Sequence, residues 1–272
     1  MPKVLINDKN IYYEVYGEGE PIIILNGIMM STLSWQGFID LFSKDNKLIL
    51  LDFIDQGQSD KADKNYTQDI HVNTLKGLFD YLNIKKVNMI GISYGGEVAM
   101  KFALKHQKML KSLILSNTTS YTNYQLIDIG KSWINAAKTY DGTVFFKTTI
   151  PTIYSTDFYE ENIDWLTKRE KLFSEAFTKE WYEGFIRLTT SAENLNITNE
   201  LKNIKIPTLI IGSENDIITP TEYQNKIYDE IENSYFVVIK KAGHASMYEK
   251  PYEFCSLVLG FLATYNNIIK IK

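Results

Sequence analysis

The sequence predicts an α/β fold built on a mostly parallel β-sheet, and three observations support that prediction. The chain has 272 residues, of which 44% are hydrophobic and 23% are charged, as in globular proteins with a sizeable core. Short runs rich in Ile, Leu and Val alternate with longer stretches of helical periodicity. From residue 22 onward this alternation favours parallel strands joined by right-handed helical crossovers.

Eight apolar runs are predicted to be strands. Several are continuous stretches of Ile, Leu and Val, as expected for strands that are covered on both faces. The first two runs flank the turn-rich tetrad Asn-Asp-Lys-Asn at positions 7–10, which predicts an antiparallel hairpin. The predicted strands are residues 4–6, 11–16, 22–25, 48–52, 87–92, 112–116, 208–211 and 235–239.

Helical periodicity fills most of the remaining chain. Residues 121–203 contain no predicted strand pair but many aromatic residues, including three of the four tryptophans. This predicts a helical cap inserted after the sixth strand, with a core domain made of residues 1–120 and 204–272. Most of the cap aromatics should form its own core, and a few should line an apolar pocket. The helices predicted among the strands are residues 68–82, 95–105, 221–230 and 251–265.

Composition excludes several classes of function. The net charge of −4 and the pI near 5.5 argue against a nucleic-acid-binding face. The start, MPKVLIND, lacks the features of a secretory signal, and no apolar run reaches the roughly 18 residues that span a membrane. Cys255 is the only cysteine; it excludes an internal disulfide, and its apolar helical context predicts core packing. We expect a cytoplasmic protein with a small-molecule substrate and no nucleic-acid or membrane partner.

The strongest functional motif is Gly91-Ile-Ser93-Tyr-Gly95, directly after a predicted strand and directly before a predicted helix. A nucleophile on such a sharp turn has strained backbone angles, so its neighbours must lack a Cβ atom. The turn raises the Ser93 hydroxyl above the sheet, near a helix N-terminus that favours developing negative charge.

A serine hydroxyl needs a base, and the chain offers three histidines. His244 follows the last predicted strand, and the preceding Gly243 should let its loop turn inward, so it is the predicted base. His71 and His106 lie in predicted helices and are interpreted as structural residues.

The third member of a triad should be a carboxylate that fixes the tautomer of the imidazole. Asp216 fits because it follows the end of the predicted strand 208–211 and precedes a turn that ends in proline. Glu214 is the second candidate in the same loop. With Asp216, the order along the chain is Ser, Asp, His.

These motifs resemble those of the α/β-hydrolase-fold serine hydrolases, in the esterase and enol-lactonase-like branch. GISYGG, GSENDIITP and KKAGHASMYEKP match the family's nucleophile elbow, acid loop and histidine loop in order and spacing. The resemblance implies an α/β-hydrolase fold with a mostly parallel eight-stranded sheet flanked by helices. It also implies that Ser93, Asp216 and His244 are catalytic, that the backbone N–H groups of Ile28 and Tyr94 form an oxyanion hole, and that no metal or organic cofactor is needed.

Two segments depart from the family pattern. Asn26-Gly27 stands where family members commonly carry His-Gly, and enol-lactonase-like members resemble this chain in having Asn there. In LDFIDQGQSD, Ile54 replaces an arginine and Asp55 replaces a glycine. Asp55 tolerates left-handed backbone angles better than most residues, so turn geometry is its predicted role. The residues predicted to line a substrate pocket are Asn26, Met29, Met30, Trp133 and Trp165.

Together these features predict a serine hydrolase that cleaves a carboxylic ester, a lactone or a related acyl bond of a small to medium, largely apolar substrate. Two alternatives remain open: an acyltransferase that uses the same triad, and a ligand-binding signalling protein with little turnover. The sequence leaves open whether the protein is a monomer or a homodimer.

Overall fold

The computed structural model describes residues 3–266. Two short segments lie outside this range: residues 1–2, which begin the MPKVLIND segment, and residues 267–272, which end the predicted core domain. The described residues form an eight-stranded sheet in the order β1-β2-β4-β3-β5-β6-β7-β8, which confirms the predicted fold class. The strands are β1 (Lys3–Ile6), β2 (Lys9–Tyr16), β3 (Glu20–Leu25), β4 (Asn46–Leu51), β5 (Val87–Ile92), β6 (Leu110–Ser116), β7 (Thr208–Ser213) and β8 (Ser234–Ile239).

All eight predicted strands are present, and their directions follow the prediction. β1 and β2 form the expected antiparallel hairpin, and β2 also pairs antiparallel with β4. Every other neighbouring pair is parallel. The carboxyl ends of the parallel strands therefore meet at one edge of the sheet, where side chains from distant parts of the sequence can converge.

The helices flank the sheet and fill the connection between β6 and β7. The four helices predicted among the strands are observed as α2, α3, α9 and α11, and the connection holds five further helices. The helices are α1 (Ile39–Ser43), α2 (Asp69–Tyr81), α3 (Tyr94–His106), α4 (Tyr124–Ala137), α5 (Gly142–Thr149), α6 (Thr156–Glu161), α7 (Ile163–Ala176), α8 (Lys179–Ser191), α9 (Thr221–Glu230), α10 (Ser246–Glu249) and α11 (Pro251–Thr264).

Both faces of the sheet are covered by apolar side chains. Successive residues of a strand point to opposite faces. Ile23 and Leu25 of β3 accordingly join the core cluster formed with α2, α3 and α9, whereas Ile22 and Ile24 join the cluster formed with α1 and α11. Cys255 is buried in this second cluster, which confirms its predicted role in core packing.

The two ends of the helical insertion are joined to each other. Tyr121 and Asn196 form an isolated antiparallel bridge, and the N–H of Thr122 donates to the carbonyl oxygen of Leu195 at 2.9 Å. Trp133, Phe145, Tyr182 and Phe185 of the insertion pack together in a separate cluster. Phe146 and Tyr154 instead join the cluster on the sheet face covered by α1 and α11, so only part of the aromatic set forms a core of its own. The division into a core domain and a cap at residues 121–203 stays a prediction.

None of the helices within residues 3–266 has the length and apolar character needed to cross a membrane.

Candidate active site

Ser93 lies on the turn between β5 and α3 with φ 52° and ψ −119°. A positive φ is uncommon for a residue with a side chain and stores strain at this turn. The flanking glycines make the turn possible: a Cβ atom on Gly91 would lie 2.6 Å from the carbonyl oxygen of Gly95, and one on Gly95 would lie 2.3 Å from that of Leu25. The turn therefore requires glycine at both positions.

The structure brings the three predicted triad residues together. The Ser93 Oγ and His244 Nε2 atoms are 2.8 Å apart, and His244 Nδ1 lies 2.8 Å from Asp216 Oδ2. Each residue follows the carboxyl end of a different parallel strand, namely β5, β7 and β8. The three side chains form one continuous hydrogen-bonded chain.

The Asp216 carboxyl is buried and densely hydrogen-bonded. Burial alone would raise its pKa, but the charge of His244 and hydrogen bonds from His244, Asn117 and Thr219 outweigh this and hold the pKa of Asp216 below its ordinary value. The backbone N–H groups of Ile218 and Thr219 donate to its other oxygen at 2.9 and 3.0 Å. An ionised carboxylate only accepts hydrogen bonds, so His244 Nδ1 carries the proton and its Nε2 is free to accept one from Ser93.

Asn117, directly after β6, was not predicted as a site residue. Its Nδ2 donates to Asp216 Oδ2 at 2.9 Å and to Ser213 Oγ at 2.8 Å, and its Oδ1 accepts from Ser246 Oγ at 2.8 Å. Asn117 is fully buried and has a φ of 47°. The available signal in the sequence was its position, since a polar residue directly after a parallel strand faces the same sheet edge as the triad.

Two backbone N–H groups near Ser93 lack hydrogen-bond partners within the described chain. They belong to Ile28, in the loop after β3, and to Tyr94, the first residue of α3, and both residues line the cavity that contains Ser93. The first N–H groups of a helix have no partner within the helix. Both groups are at the positions predicted for an oxyanion hole.

A buried amide network holds the loop that contains Ile28. Gln56 Nε2 donates to the carbonyl oxygen of Gly27 at 2.8 Å, and Asn26 Nδ2 donates to the carbonyl oxygen of Leu51 at 2.8 Å and to Gln56 Oε1 at 3.2 Å. Asn26 also accepts from Trp35 Nε1 at 2.8 Å. Gln56 was not predicted as a site residue, because the family pattern that LDFIDQGQSD resembles specifies no residue type at this position.

The cavity above Ser93 lies between the sheet edge and the inserted helices. Three of the predicted pocket residues, Met29, Met30 and Trp133, line it together with Ser93 and His244. Most of its wall is apolar, which favours binding of apolar groups beside Ser93. Further apolar lining residues are Ile92, Ile150, Ile153, Phe173, Ile218 and Met247.

Two predicted pocket residues need correction. Asn26 does not line the cavity, because its side chain is buried and hydrogen-bonded to Leu51, Gln56 and Trp35. Trp165 is also not in the wall; it is 37% exposed and packs against Tyr154 and Phe158. Its residue type suggested a pocket, but the ring packs behind Tyr154 and Arg169, which line the cavity in its place.

The remaining candidates from the sequence have other surroundings. Glu214, the second candidate acid, forms an ion pair with Lys240 at 3.0 Å and does not contact His244. His71 is fully buried against Phe53, and burial lowers its pKa to about 3. His106 packs on Phe102 at the end of α3. Within residues 3–266, no group of three or more His, Cys, Asp or Glu side chains could hold a metal ion.

Asp55 has the left-handed backbone predicted for it, with a φ of 74°, and it has a second role. Its carboxylate accepts two hydrogen bonds from Arg187 of α8, at 2.9 Å from Nε and 2.6 Å from a terminal nitrogen. The side chain of Asp55 is fully buried and that of Arg187 is 15% exposed. This pair connects the loop after β4 to the helical insertion.

The comparisons with known proteins agree with this fold. The family model for the alpha/beta hydrolase fold matches residues 20–251. The crystal structure of MGS-M2, an alpha/beta hydrolase enzyme from a Medee basin deep-sea metagenome library, is similar over 99% of this chain and 100% of that chain, with 43% identity and a TM-score of 0.96. The chain belongs to the α/β hydrolase family and is a hydrolase-family enzyme.

More distant relatives share the fold. The enol-lactonase from Burkholderia xenovorans LB400 is 22% identical, with a TM-score of 0.86 over 96% of this chain and 100% of that one. A 2-hydroxy-6-oxo-6-(2'-aminophenyl)hexa-2,4-dienoic acid hydrolase from Metapseudomonas resinovorans is 23% identical over 93% of this chain and 88% of its own length. These two relatives are named for different substrates. The substrate of this chain therefore depends on the chemistry of its own cavity.

Proposed function

We propose that the protein is a serine hydrolase that cleaves a carboxylic ester, a lactone or a related acyl bond of a small to medium, largely apolar substrate. The observation that carries this proposal is the continuous hydrogen-bonded chain from Ser93 Oγ through His244 to Asp216, with 2.8 Å at both steps. It opens into a mostly apolar cavity beside two unpaired backbone N–H groups. An enol-lactonase among the structures with this fold is compatible with the proposal.

The reaction begins with acylation of Ser93. His244 Nε2 takes the proton of Ser93 Oγ while Oγ bonds to the carbonyl carbon, and the carbonyl electrons move onto its oxygen. The N–H groups of Ile28 and Tyr94 stabilise this oxyanion, each contributing on the order of 10²–10³ in rate. Collapse of the intermediate breaks the bond to the leaving oxygen, which takes the proton from His244 and departs as an alcohol.

Deacylation repeats these steps with water. His244 Nε2 removes a proton from a water molecule as its oxygen bonds to the acyl carbon. The second oxyanion collapses, the bond to Ser93 Oγ breaks, and Oγ regains the proton from His244. Asp216 stays ionised throughout and stabilises the imidazolium that forms in both halves. The products are a carboxylic acid and the free enzyme.

Labelling with a fluorophosphonate tests the nucleophile. We expect wild type and the control Ser132→Ala, which removes an exposed serine of α4, to be labelled, and Ser93→Ala to remain unlabelled. Removing a triad serine lowers kcat by about 10⁶-fold, so Ser93→Ala should also lose turnover of p-nitrophenyl esters and lactones. Wild type that is neither labelled nor active on any of these substrates contradicts the proposal, as does labelling of Ser93→Ala.

A series of p-nitrophenyl esters with increasing acyl-chain length tests the substrate class. Because burial of each CH₂ group contributes about 0.8 kcal/mol, we expect kcat/KM to rise with chain length until the cavity is filled and then to fall. Equal kcat/KM values across the series would contradict binding of the acyl group in the apolar cavity.

A further inference from the structure

The chain has only two arginines among its 29 basic residues, Arg169 in α7 and Arg187 in α8. A guanidinium presents a planar set of N–H donors that matches a carboxylate, whereas a lysine ammonium is a strongly hydrated point charge. In a chain that otherwise uses lysine, both arginines lie in the helices over the sheet edge. Arg187 has a carboxylate partner inside the protein, because it binds Asp55 with two hydrogen bonds.

Arg169 has no such partner. Its side chain lines the cavity that contains Ser93, and it forms no hydrogen bond or ion pair with any residue in the range 3–266. Its guanidinium lies over the ring of Trp165 at 4.7 Å from the centroid and over that of Phe173 at 5.9 Å. Stacking on aromatic faces fixes the plane of the guanidinium and leaves its N–H edge available.

The carboxylates on neighbouring elements are engaged elsewhere. Glu170, next in sequence, pairs with Lys147 at 2.8 Å. Glu249 of α10 accepts hydrogen bonds from Ser155 Oγ at 2.5 Å and from the N–H of Gly243 at 3.0 Å. Neither carboxylate forms an ion pair with Arg169.

The field of Arg169 reaches other residues of the cavity wall. Tyr154 and Tyr248 both line the cavity. Burial raises the pKa of each hydroxyl, and the charge of Arg169 acts in the opposite direction on both. Arg169 thus lies close enough to act on both hydroxyls, and the charge of Glu249 acts on the pKa of Tyr154 in the opposite direction.

Two carboxyl groups also line the cavity, and neither forms an ion pair with Arg169. Glu97 accepts a hydrogen bond from Gln68, and burial raises the pKa of Glu97 to about 8, which favours its neutral form at neutral pH. Glu193 lies just after α8. Arg169 is thus a cavity-lining cation without an ion-pair partner among residues 3–266.

We propose that the substrate carries a carboxylate group that Arg169 binds by charge-assisted hydrogen bonds while the scissile acyl group lies at Ser93. This inference rests on the proposed function and narrows it to esters or lactones with a second, anionic end. The apolar wall between Ser93 and Arg169 would contact the carbon chain that joins the two ends. Arg169 is then a specificity-determining residue outside the chemical step.

Two matched substrates test the proposal: the p-nitrophenyl monoester of adipic acid, which has a free carboxylate, and the same compound with that carboxylate methylated. We expect wild type to have the higher kcat/KM on the free acid. Because a hydrogen bond to a charged group contributes about 1.5–3 kcal/mol, Arg169→Gln should lower the ratio of the two kcat/KM values by roughly 10- to 100-fold. Arg169→Lys should retain part of the ratio.

The effect of Arg169→Gln is read from the ratio of the two kcat/KM values, in which a general loss of activity cancels, and fluorophosphonate labelling of the variant reports its folding. Lys168→Gln removes an exposed charge from the same helix and should preserve the wild-type ratio. A wild-type ratio at or below one overturns the proposal. A ratio that Arg169→Gln leaves unchanged also overturns the proposal. In particular, equal losses of kcat/KM on both substrates would indicate a structural role for Arg169.

Binding distinguishes a failure of this proposal from a failure of the proposed function. In the Ser93→Ala background, calorimetry should show that monomethyl adipate binds more tightly than dimethyl adipate, and that Arg169→Gln weakens only the former, by roughly 10- to 100-fold. If no ester is hydrolysed but this difference persists, the hydrolase assignment fails and the carboxylate site stands. If esters are hydrolysed and the difference is absent, the carboxylate site fails alone.

Discussion

The sheet edge below the cavity and the helices above it are held by different kinds of contact. At the sheet edge, Asn117 and Asp216 are 99 residues apart in sequence and hydrogen-bonded at 2.9 Å. In the insertion, aromatic rings pack on each other, as for Phe177 and Trp181 with centroids 3.6 Å apart. Satisfied buried polar networks favour one geometry, whereas apolar packing accepts changes of shape at modest cost. A single fixed geometry at the sheet edge suits the catalytic chemistry, and adaptable packing in the inserted helices suits the binding of varied substrates.

After Ser93→Ala, the largest effect is expected at the sheet edge, from Asp216→Asn. An amide at this position can donate to His244 and favours the wrong tautomer, so kcat should fall by about 10⁴-fold with little change in KM. Steady-state kinetics on a p-nitrophenyl ester measure this effect. Glu214→Gln is the matched control, because Glu214 lies in the same loop as Asp216 and pairs with the exposed Lys240. This variant should keep wild-type kcat. Equal losses in both variants would contradict the assignment of Asp216.

The next effect concerns the polar link between the two regions, the Asp55–Arg187 pair. Arg187→Met leaves the fully buried Asp55 carboxylate without its partner. Removing one member of a buried ion pair costs about 3–5 kcal/mol, which urea unfolding would measure as a lower free energy of unfolding. Lys179→Met on the same helix is the control, since its partner Glu183 is exposed and such pairs contribute about 0–1 kcal/mol.

The double variant Asp55→Asn, Arg187→Met separates loss of the pair from loss of packing. Asn tolerates the positive φ of Asp55 and removes the unpaired charge. We expect the double variant to regain part of the stability lost in Arg187→Met, which a double-mutant cycle quantifies. Additive losses would show that the two side chains act independently.

The two regions also differ in how well the sequence predicts them. The elbow at Ser93 is a local pattern of strand, glycine and helix, and Asp216 and His244 each follow a strand end, so their convergence follows from parallel topology alone. Gln56 and Asn117 act through contacts with distant segments, and no local pattern marks such contacts. Trp165 was misplaced because residue type does not tell how far along a cap helix the cavity extends. Trp165 and Arg169 are four residues apart and share one face of α7, and only Arg169 lines the cavity.

A smaller effect is expected from Gln56→Ala, which removes the amide that holds the carbonyl oxygen of Gly27. The Ile28 N–H then loses support at a position where a shift of about 1 Å can cost on the order of 10²-fold in rate. Because an oxyanion forms only in the reaction, kcat should fall about 10- to 100-fold with KM nearly unchanged. Gln58→Ala, at an exposed neighbouring position, should retain wild-type kcat. A rise in KM alone would assign Gln56 to substrate binding.

A pH-dependent effect is expected from Glu97, a residue of α3 that lines the cavity. Burial raises the pKa of its carboxyl from 4.5 to about 8, against the hydrogen bond from Gln68 and the charge of Lys101. Between these two pH values the folded protein holds a proton that the unfolded chain releases. The contribution of Glu97 to stability therefore falls as pH rises through this window, by at most about 1.4 kcal/mol per pH unit.

Glu97→Gln keeps the shape and the acceptor for Gln68 but cannot ionise. Urea unfolding of both proteins at several pH values between 4.5 and 8 should show the variant gaining stability relative to wild type as pH rises. A constant difference would mean that Glu97 is ionised in the folded protein. The cavity would then hold a buried negative charge together with the unpaired Arg169, and carboxylate binding would be weaker than the proposal requires. A rising difference supports a neutral wall below pH 8, in which Arg169 determines the charge that the cavity accepts.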